Sequence, residues 1–209
     1  HPGAVVLTGE AGIGKTTLWL AGLAAAAAGG YRIMSSRPSE AETQFSLAGL
    51  ADLLGDTVRD VLPELPPIQR RALEAALLLG ESELHADERA VAAAFLGALR
   101  LLAGENPLCL AVDDLQWLDA ASLAALRYAL ARLQDEPVVA LLAVRGDVPE
   151  WLRRALPEER LQNVEVAGLS LGATHELLRA RLDRAAAHLT LGSLADVPLA
   201  ALLARLGAR

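Results

Sequence analysis

The residues with the clearest chemical purpose lie near the start of the chain. The octet Gly9-Glu10-Ala11-Gly12-Ile13-Gly14-Lys15-Thr16 matches the phosphate-binding pattern G-x-x-x-x-G-K-[ST] at every fixed position. Glycines let consecutive backbone N–H groups turn toward an anion, and a following helix presents its positive end to the same anion. We therefore expect Lys15 to reach the β- and γ-phosphates of a nucleotide and the Thr16 hydroxyl to bind Mg²⁺. The alternative is an ordinary glycine-rich turn.

The use of lysine in the chain supports the same interpretation. Lys15 is the only lysine, and every other basic residue is arginine. A lysine ammonium is a compact point charge, which the planar guanidinium of arginine does not replace well. The single lysine thus stands where a phosphate loop requires one.

Two acidic residues form the second part of the candidate site. Asp113 and Asp114 follow an apolar run at residues 108–112, which predicts a buried strand. A carboxylate at the carboxyl end of a parallel strand lies beside the crevice where ligands bind. We expect Asp113 to hold Mg²⁺ through water and Asp114 to orient or polarise the attacking water, although aspartate is shorter than the glutamate often used there. The alternative is a helix N-cap with a solvated neighbour.

Arg145 is the third candidate. It ends the apolar run at residues 138–144, so it belongs to the same edge of the predicted sheet as the two acids. A guanidinium at that edge can contact a γ-phosphate and so distinguish ATP from ADP. The alternative is a surface arginine at a strand end.

Apolar runs that alternate with helical patterns must position these residues. Strands are predicted at residues 4–8, 31–35, 108–112, 138–144 and 164–169. Helices are predicted at residues 15–28, 45–54, 68–79, 87–102 and 120–133, the last two capped by Asp87 and Asp119. Strands that are apolar on both faces indicate a mostly parallel sheet covered on both sides. The predicted fold is a three-layer α/β P-loop NTPase core over residues 1–170, followed by a partial helical lid over residues 171–209.

Composition excludes several classes of protein. The chain has 209 residues, 53% of them hydrophobic, which places it among globular proteins. Its net charge of −7 is unfavourable for electrostatic binding to a nucleic-acid backbone. The single cysteine, Cys109, can form neither an internal disulfide nor a cysteine zinc site. The lack of a disulfide fits a reducing compartment, so we expect a cytoplasmic protein. No apolar run is long enough for a membrane span, so we expect no membrane partner. Because the chain opens His1-Pro2-Gly3 without an initiating Met, we expect a longer polypeptide.

Three segments together resemble a known family. They are residues 9–17 (GEAGIGKTT), which extend the phosphate loop to Thr17, residues 42–54 (ETQFSLAGLADLL) and residues 113–119 (DDLQWLD). In combination they resemble the ATPase domain of large LuxR-type transcriptional regulators. These belong to the STAND class of AAA-like P-loop ATPases, which includes the MalT-like regulators. The resemblance covers about residues 3–171.

The resemblance implies an ATP/ADP switch with Mg²⁺ as cofactor. In such proteins the bound nucleotide sets the packing of a helical lid, and that packing controls self-association through the ATPase region. DNA would be contacted only by a C-terminal helix-turn-helix outside these residues. The family also has a glycine-x-proline-leucine motif whose proline lies near the adenine. Pro198 is the corresponding candidate here, with Asp196 where glycine is expected.

Three functions remain open at this point. The first is an ATP-binding, slowly hydrolysing switch domain of a LuxR-family regulator, a weak ATPase. The second is an AAA-type ATPase module of another signalling protein, linked to a cyclase or kinase, or a P-loop ATPase with steady turnover. The third is a module that binds nucleotide without turnover. A measurement of steady-state ATP hydrolysis distinguishes the module without turnover from the two functions that hydrolyse ATP.

Overall fold

A computed structural model describes residues 3–77 and 87–168 of the chain. Five strands form one sheet in the order β2-β3-β4-β1-β5, and every neighbouring pair is parallel. The strands are β1 (Gly3–Gly9), β2 (Arg32–Ser36), β3 (Leu108–Val112), β4 (Val138–Arg145) and β5 (Leu161–Glu165). The compact unit that contains this sheet extends to Ala167.

Seven α-helices connect the strands in the described ranges. They are α1 (Lys15–Ala28), α2 (Ala48–Leu54), α3 (Val58–Val61), α4 (Pro67–Ala76), α5 (Glu88–Glu105), α6 (Ala120–Leu130) and α7 (Glu150–Ala155). Short 3-10 turns lie between several of them, including Glu40–Gln44 and Leu115–Trp117. Parallel strands require such crossovers, since a short hairpin can join only antiparallel strands.

The sheet is covered on both faces, which confirms the predicted three-layer α/β fold. On one face a large core packs strand residues such as Val6 and Leu142 against α2, α5 and α6. On the other face a smaller cluster surrounds Trp19 of α1, whose indole donates a hydrogen bond of 3.2 Å to the carbonyl of Leu141. Every residue of β3 is buried. The alternation of strand side chains between the two clusters is the pattern expected of a doubly covered parallel sheet.

Most predicted elements are confirmed within a few residues. α1 and β3 have the predicted bounds, and β4 ends at Arg145 as expected. Asp87 caps α5 by accepting hydrogen bonds from the amides of Arg89 and Ala90. Asp119 caps α6 through the amide of Ser122. The helix predicted at residues 68–79 is observed as α4, and residues 78 and 79 lie outside the described ranges.

Two predicted elements are wrong at their boundaries. The helix predicted from Phe45 begins at Ala48, because Leu47 has a left-handed backbone (φ 66°) and Phe45 lies outside the helix. The last strand was predicted at residues 164–169, but β5 spans Leu161–Glu165. β5 is an edge strand with polar, exposed positions, so a prediction that relies on apolar residues places it too late. Leu169 and the predicted lid, residues 171–209 with Pro198, lie outside the described residues.

Candidate functional site

The phosphate loop, residues 9–17, joins the end of β1 to α1. Gly14 caps α1 with a left-handed backbone (φ 113°) that an L-residue with a side chain would adopt only under strain. Gly9 is restricted by space as well, because a Cβ there would lie 2.7 Å from the carbonyl oxygen of Val166, just after β5. The loop therefore has its shape because glycine occupies these positions.

Lys15 is the first residue of α1, and its ammonium contacts the start of this loop. Its side chain is buried, and its Nζ donates hydrogen bonds to the carbonyl oxygens of Gly9 (2.9 Å) and Glu10 (2.8 Å). An ammonium has three donors, so one proton of Lys15 is available to a ligand in the loop. Within the described ranges no carboxylate forms an ion pair with Lys15. Its positive charge is therefore held in the loop by backbone dipoles and is not neutralised.

The backbone of the loop presents donors at the start of a long helix. Between residues 11 and 16, the amide of Ile13 donates to the carbonyl of Glu10 at 3.4 Å, and no other amide of this stretch has a backbone acceptor in the described ranges. The first turn of α1 contains no acidic residue. These amides and the positive end of a 14-residue helix suit a phosphate group. Thr16 is half-buried beside them.

Asp113 lies directly after β3 and is only 3% exposed. Its Oδ1 atom is buried and has no hydrogen-bond partner among the residues that the structure describes. Its Oδ2 atom lies 3.6 Å from Nε of Arg37, which follows β2 and is largely exposed. An ionised carboxylate with one unpartnered buried oxygen is costly unless a cation or ordered water completes its coordination. The donor set of Asp113 and Thr16 is the oxygen-rich kind that Mg²⁺ prefers.

Asp114 and Arg145 are linked through the side chain of Gln116. Asp114 has a left-handed backbone (φ 52°), and its Oδ1 accepts a 2.9 Å hydrogen bond from Nε2 of Gln116. Oε1 of Gln116 accepts a 3.1 Å hydrogen bond from the backbone amide of Arg145. The structure thus connects the carboxyl ends of β3 and β4 through one amide side chain.

The strand register brings Arg145 beside the phosphate loop. β4 lies between β3 and β1, and Arg145 is the register partner of Gly9. Its side chain is exposed and forms no ion pair with any residue that the structure describes. Lys15, Asp113, Asp114 and Arg145 therefore follow three adjacent strands at one edge of the sheet.

Asp119 ties together two of the segments that carried the sequence resemblance. The carboxylate accepts hydrogen bonds from the amides of Leu47 (2.8 Å), Gly49 (3.1 Å) and Ser122 (2.9 Å). The hydroxyl of Ser122 accepts a further one from the amide of Leu50 at 2.8 Å. Hydrogen bonds from Leu47 and Gly49 to Asp119 thus join residues 42–54 to residues 113–119.

Sequence reasoning missed three contributions to this edge. Arg37 was not among the predicted site residues, and its position after β2 was the available signal, since β2 ends at the same edge as β3. Gln116 lies within the DDLQWLD segment, but no sequence pattern predicted its contact with Arg145. Asp119 was expected only as a helix cap, whereas it also binds residues 47 and 49.

Other groups of the described chain add little to the chemistry here. Burial raises the pKa of the Cys109 thiol from 9.0 to about 11, so this side chain stays protonated in the core. The described residues include no cluster of three or more His, Cys, Asp or Glu side chains that could bind a metal. A cation at this edge would therefore depend on Asp113, Thr16, water and the ligand.

The sequence profile of the AAA ATPase domain family matches residues 1–144 of the chain. The chain belongs to this family. A comparison with curated proteins found no significant match. None of the helices in the described ranges is long and apolar enough to span a membrane.

Several solved structures are similar to this AAA domain at low identity. A DNA replication initiation factor is 17% identical with a TM-score of 0.46, covering 87% of this chain and 45% of that one. AMPPCP-bound DnaA from Aquifex aeolicus is 17% identical with a TM-score of 0.43, covering 86% and 45%. Drosophila ORC bound to GC-rich DNA and Cdc6 is 14% identical with a TM-score of 0.39, covering 79% and 50%. The chain spans about half the length of these proteins.

Proposed function

We propose that this AAA ATPase domain binds ATP and ADP with Mg²⁺ in residues 9–17, hydrolyses ATP slowly, and acts as the regulatory switch of a LuxR-type transcriptional regulator. The observation that carries the proposal is the arrangement of the sheet edge. There the glycine loop with its buried lysine follows β1, Arg145 ends the neighbouring strand β4, and a buried carboxylate with an unpartnered oxygen follows β3. This arrangement suits a triphosphate with a divalent cation.

Each residue of the loop has a defined part in this proposal. The amides of Gly12, Gly14, Lys15 and Thr16, which have no backbone acceptor in the described ranges, donate to the phosphates. Gly9, Glu10, Ala11, Ile13 and Thr17 complete the loop around them. Lys15 binds the β- and γ-phosphates with the donor that the loop carbonyls leave available. Thr16 and Asp113 hold the Mg²⁺, which when bound offsets negative charge on the phosphate oxygens. Asp114 orients the attacking water, and Arg145 contacts the γ-phosphate.

Removing the Lys15 ammonium tests nucleotide binding at the loop. Lys15→Ala deletes the one cation held inside the loop, so the affinity for a fluorescent ATP analogue should fall about 10- to 100-fold, the range of a lost charge-assisted contact. Arg153→Ala at the end of α7 removes one positive charge from an exposed site and serves as the control. The proposal fails if Lys15→Ala binds the analogue within twofold of the wild type while keeping its fold by circular dichroism.

The regulatory part of the proposal rests on the resemblance of residues 9–17, 42–54 and 113–119 to LuxR-type regulators. A switch domain should change its self-association between its ATP and ADP states. Sedimentation with a non-hydrolysable ATP analogue and with ADP measures this, and identical profiles would contradict it. In the full-length natural protein, DNA binding should change with the nucleotide, through a domain outside these residues. Pro198 is proposed to lie near the adenine.

A second candidate, nucleotide binding without turnover, is favoured by one observation. Asp114 has the short side chain of aspartate, and one of its oxygens is already engaged by Gln116. Steady-state release of phosphate from ATP, compared between the wild type and Lys15→Ala, separates the two candidates. Turnover that depends on Lys15 supports the switch ATPase, and binding without turnover supports the second candidate.

A further inference from the structure

Gln116 occupies the point where two strand ends meet. It lies in the 3-10 turn Leu115–Trp117 and is half-buried. Its amide group uses both ends, because Nε2 donates to Oδ1 of Asp114 at 2.9 Å and Oε1 accepts from the amide of Arg145 at 3.1 Å. Asp114 and Arg145 are the two residues proposed above to act on the attacking water and the γ-phosphate.

The contact with Asp114 restricts a group that would otherwise rotate. A carboxylate can accept hydrogen bonds at both oxygens, and Gln116 occupies Oδ1, which leaves Oδ2 for another partner. The left-handed backbone of Asp114 (φ 52°) determines the direction of its Cα–Cβ bond. Because aspartate reaches less far than glutamate, the direction of its carboxylate decides whether it can touch a water at the γ-phosphate.

We propose that Gln116 is a positioning residue for ATP hydrolysis, an inference that rests on the proposed function. In that reaction the water oxygen forms a bond to the γ-phosphorus, the bond from that phosphorus to the β–γ bridging oxygen breaks, and ADP leaves. The proton of the water passes through Asp114 to the phosphate product. Gln116 aims Asp114 at that water, and its second hydrogen bond sets the end of β4 from which the Arg145 side chain projects.

The variant Gln116→Glu separates the two contacts. A glutamate of the same length can still accept from the amide of Arg145, but it has no donor for Asp114 and places a second negative charge beside it. We expect kcat for ATP to fall about tenfold while affinities for ADP and for a non-hydrolysable ATP analogue stay within twofold. Gln162→Glu makes the same chemical change at an exposed position of β5 and should leave kcat unchanged.

A double-mutant cycle with Asp114→Asn distinguishes positioning from a structural role. If Gln116 acts through Asp114, then Gln116→Glu should cost less than twofold in single-turnover rate once Asp114→Asn is present. An equal tenfold loss in both backgrounds, or no loss in either, would overturn the proposal. If Gln116→Glu does not fold, Gln116→Met, which removes both hydrogen bonds without adding charge, replaces it in the same cycle.

The outcome also distinguishes this inference from the proposed function. A wild-type domain that binds ATP and turns it over, but gives an additive cycle, refutes only the role of Gln116. A wild-type domain that binds ATP without turnover refutes hydrolysis and the role of Gln116 together. A domain that binds neither nucleotide refutes the proposed function itself.

Discussion

The two halves of the candidate site are built in different ways. The phosphate loop is built from residues that are contiguous in the sequence. Its backbone amides and the Lys15 ammonium lie around the position proposed for the phosphates. The acid segment, residues 113–119, carries three carboxylates, and its side chains form hydrogen bonds with residues that are distant in the sequence. Gln116 reaches Arg145 across 29 residues, and Asp119 reaches Leu47 across 72.

This difference determines how each half responds to mutation. The loop depends on a few local backbone conformations, so a change of side chain there should alter ligand binding more than folding. The acid segment depends on buried hydrogen bonds between elements, so changes there should affect stability, geometry or turnover according to which bond is lost.

The largest expected effect is on stability and comes from Asp119→Ala. This change removes the acceptor of three backbone amides, at Leu47, Gly49 and Ser122, two of them buried. The free energy of unfolding in urea should fall by about 3 to 5 kcal/mol, since each buried donor loses its partner. Asp87→Ala removes a cap whose two amides are exposed and should cost only about 1 kcal/mol. Equal losses in the two variants would contradict the special role of Asp119.

The next effect separates the two acids of the segment. Asp114→Asn should spare nucleotide affinity and lower the hydrolysis rate by about 100-fold, because it removes a group that acts on water. Asp113→Asn should instead raise the Mg²⁺ concentration needed for half-maximal ATP binding, by about tenfold, because it removes a metal ligand. Magnesium titrations of binding and turnover measure both. The division of roles is wrong if both variants lose nucleotide affinity equally.

A smaller and more selective effect is expected at Arg145, where the two halves meet. If its guanidinium contacts the γ-phosphate, Arg145→Ala loses a charge-assisted contact with ATP and none with ADP. Affinity for a non-hydrolysable ATP analogue should fall about tenfold or more, and ADP affinity should stay nearly unchanged. Paired calorimetric titrations, with Arg153→Ala as the control, measure the difference. Parallel losses for both nucleotides would make Arg145 a structural residue.

The last prediction concerns the buried thiol of Cys109 in β3, which is not one of the candidate site residues and should not affect nucleotide binding. Burial raises the pKa of Cys109 from 9.0 to about 11, so at pH 8 the folded protein should react with a thiol reagent about 100-fold more slowly than the protein in urea. Because the pKa is raised in the folded state, the stability that the protonated thiol confers is complete below pH 9 and is lost as the pH rises toward 11. Cys109→Ala should remove that slope. Equal thiol reactivity in the two states would show that β3 opens readily.

The sequence predicted those parts of the molecule whose signals are local. The loop motif fixed α1 at Lys15, and apolar runs located the central strands β3 and β4 closely. β5 was placed too late because an edge strand is paired on one side and exposes polar residues such as Asn163. The start of α2 was missed because Asp119, distant in sequence, binds the amides of Leu47 and Gly49.

The predicted site residues follow from the same local signals. The position of the phosphate loop, Asp113 and Arg145 after strand ends follows from parallel-sheet topology and needs no knowledge of strand order. The register that pairs Gly9 with Arg145, and the contact between Arg37 and Asp113, depend on which strands are neighbours. Strand order is a long-range property of packing, and no local pattern in the sequence encodes it.

The most direct test of the account is whether the loop amides bind phosphate. In a ¹⁵N–¹H NMR titration of the wild-type domain with ADP and Mg²⁺, the amides of Gly12, Gly14, Lys15 and Thr16 should show the largest shifts, since they have no backbone acceptor in the described ranges. Amides of α7 should shift little, and Lys15→Ala should greatly reduce the response at the loop. Shifts centred elsewhere, with the loop amides unchanged at saturating ADP, would contradict the assignment of residues 9–17 as the nucleotide site.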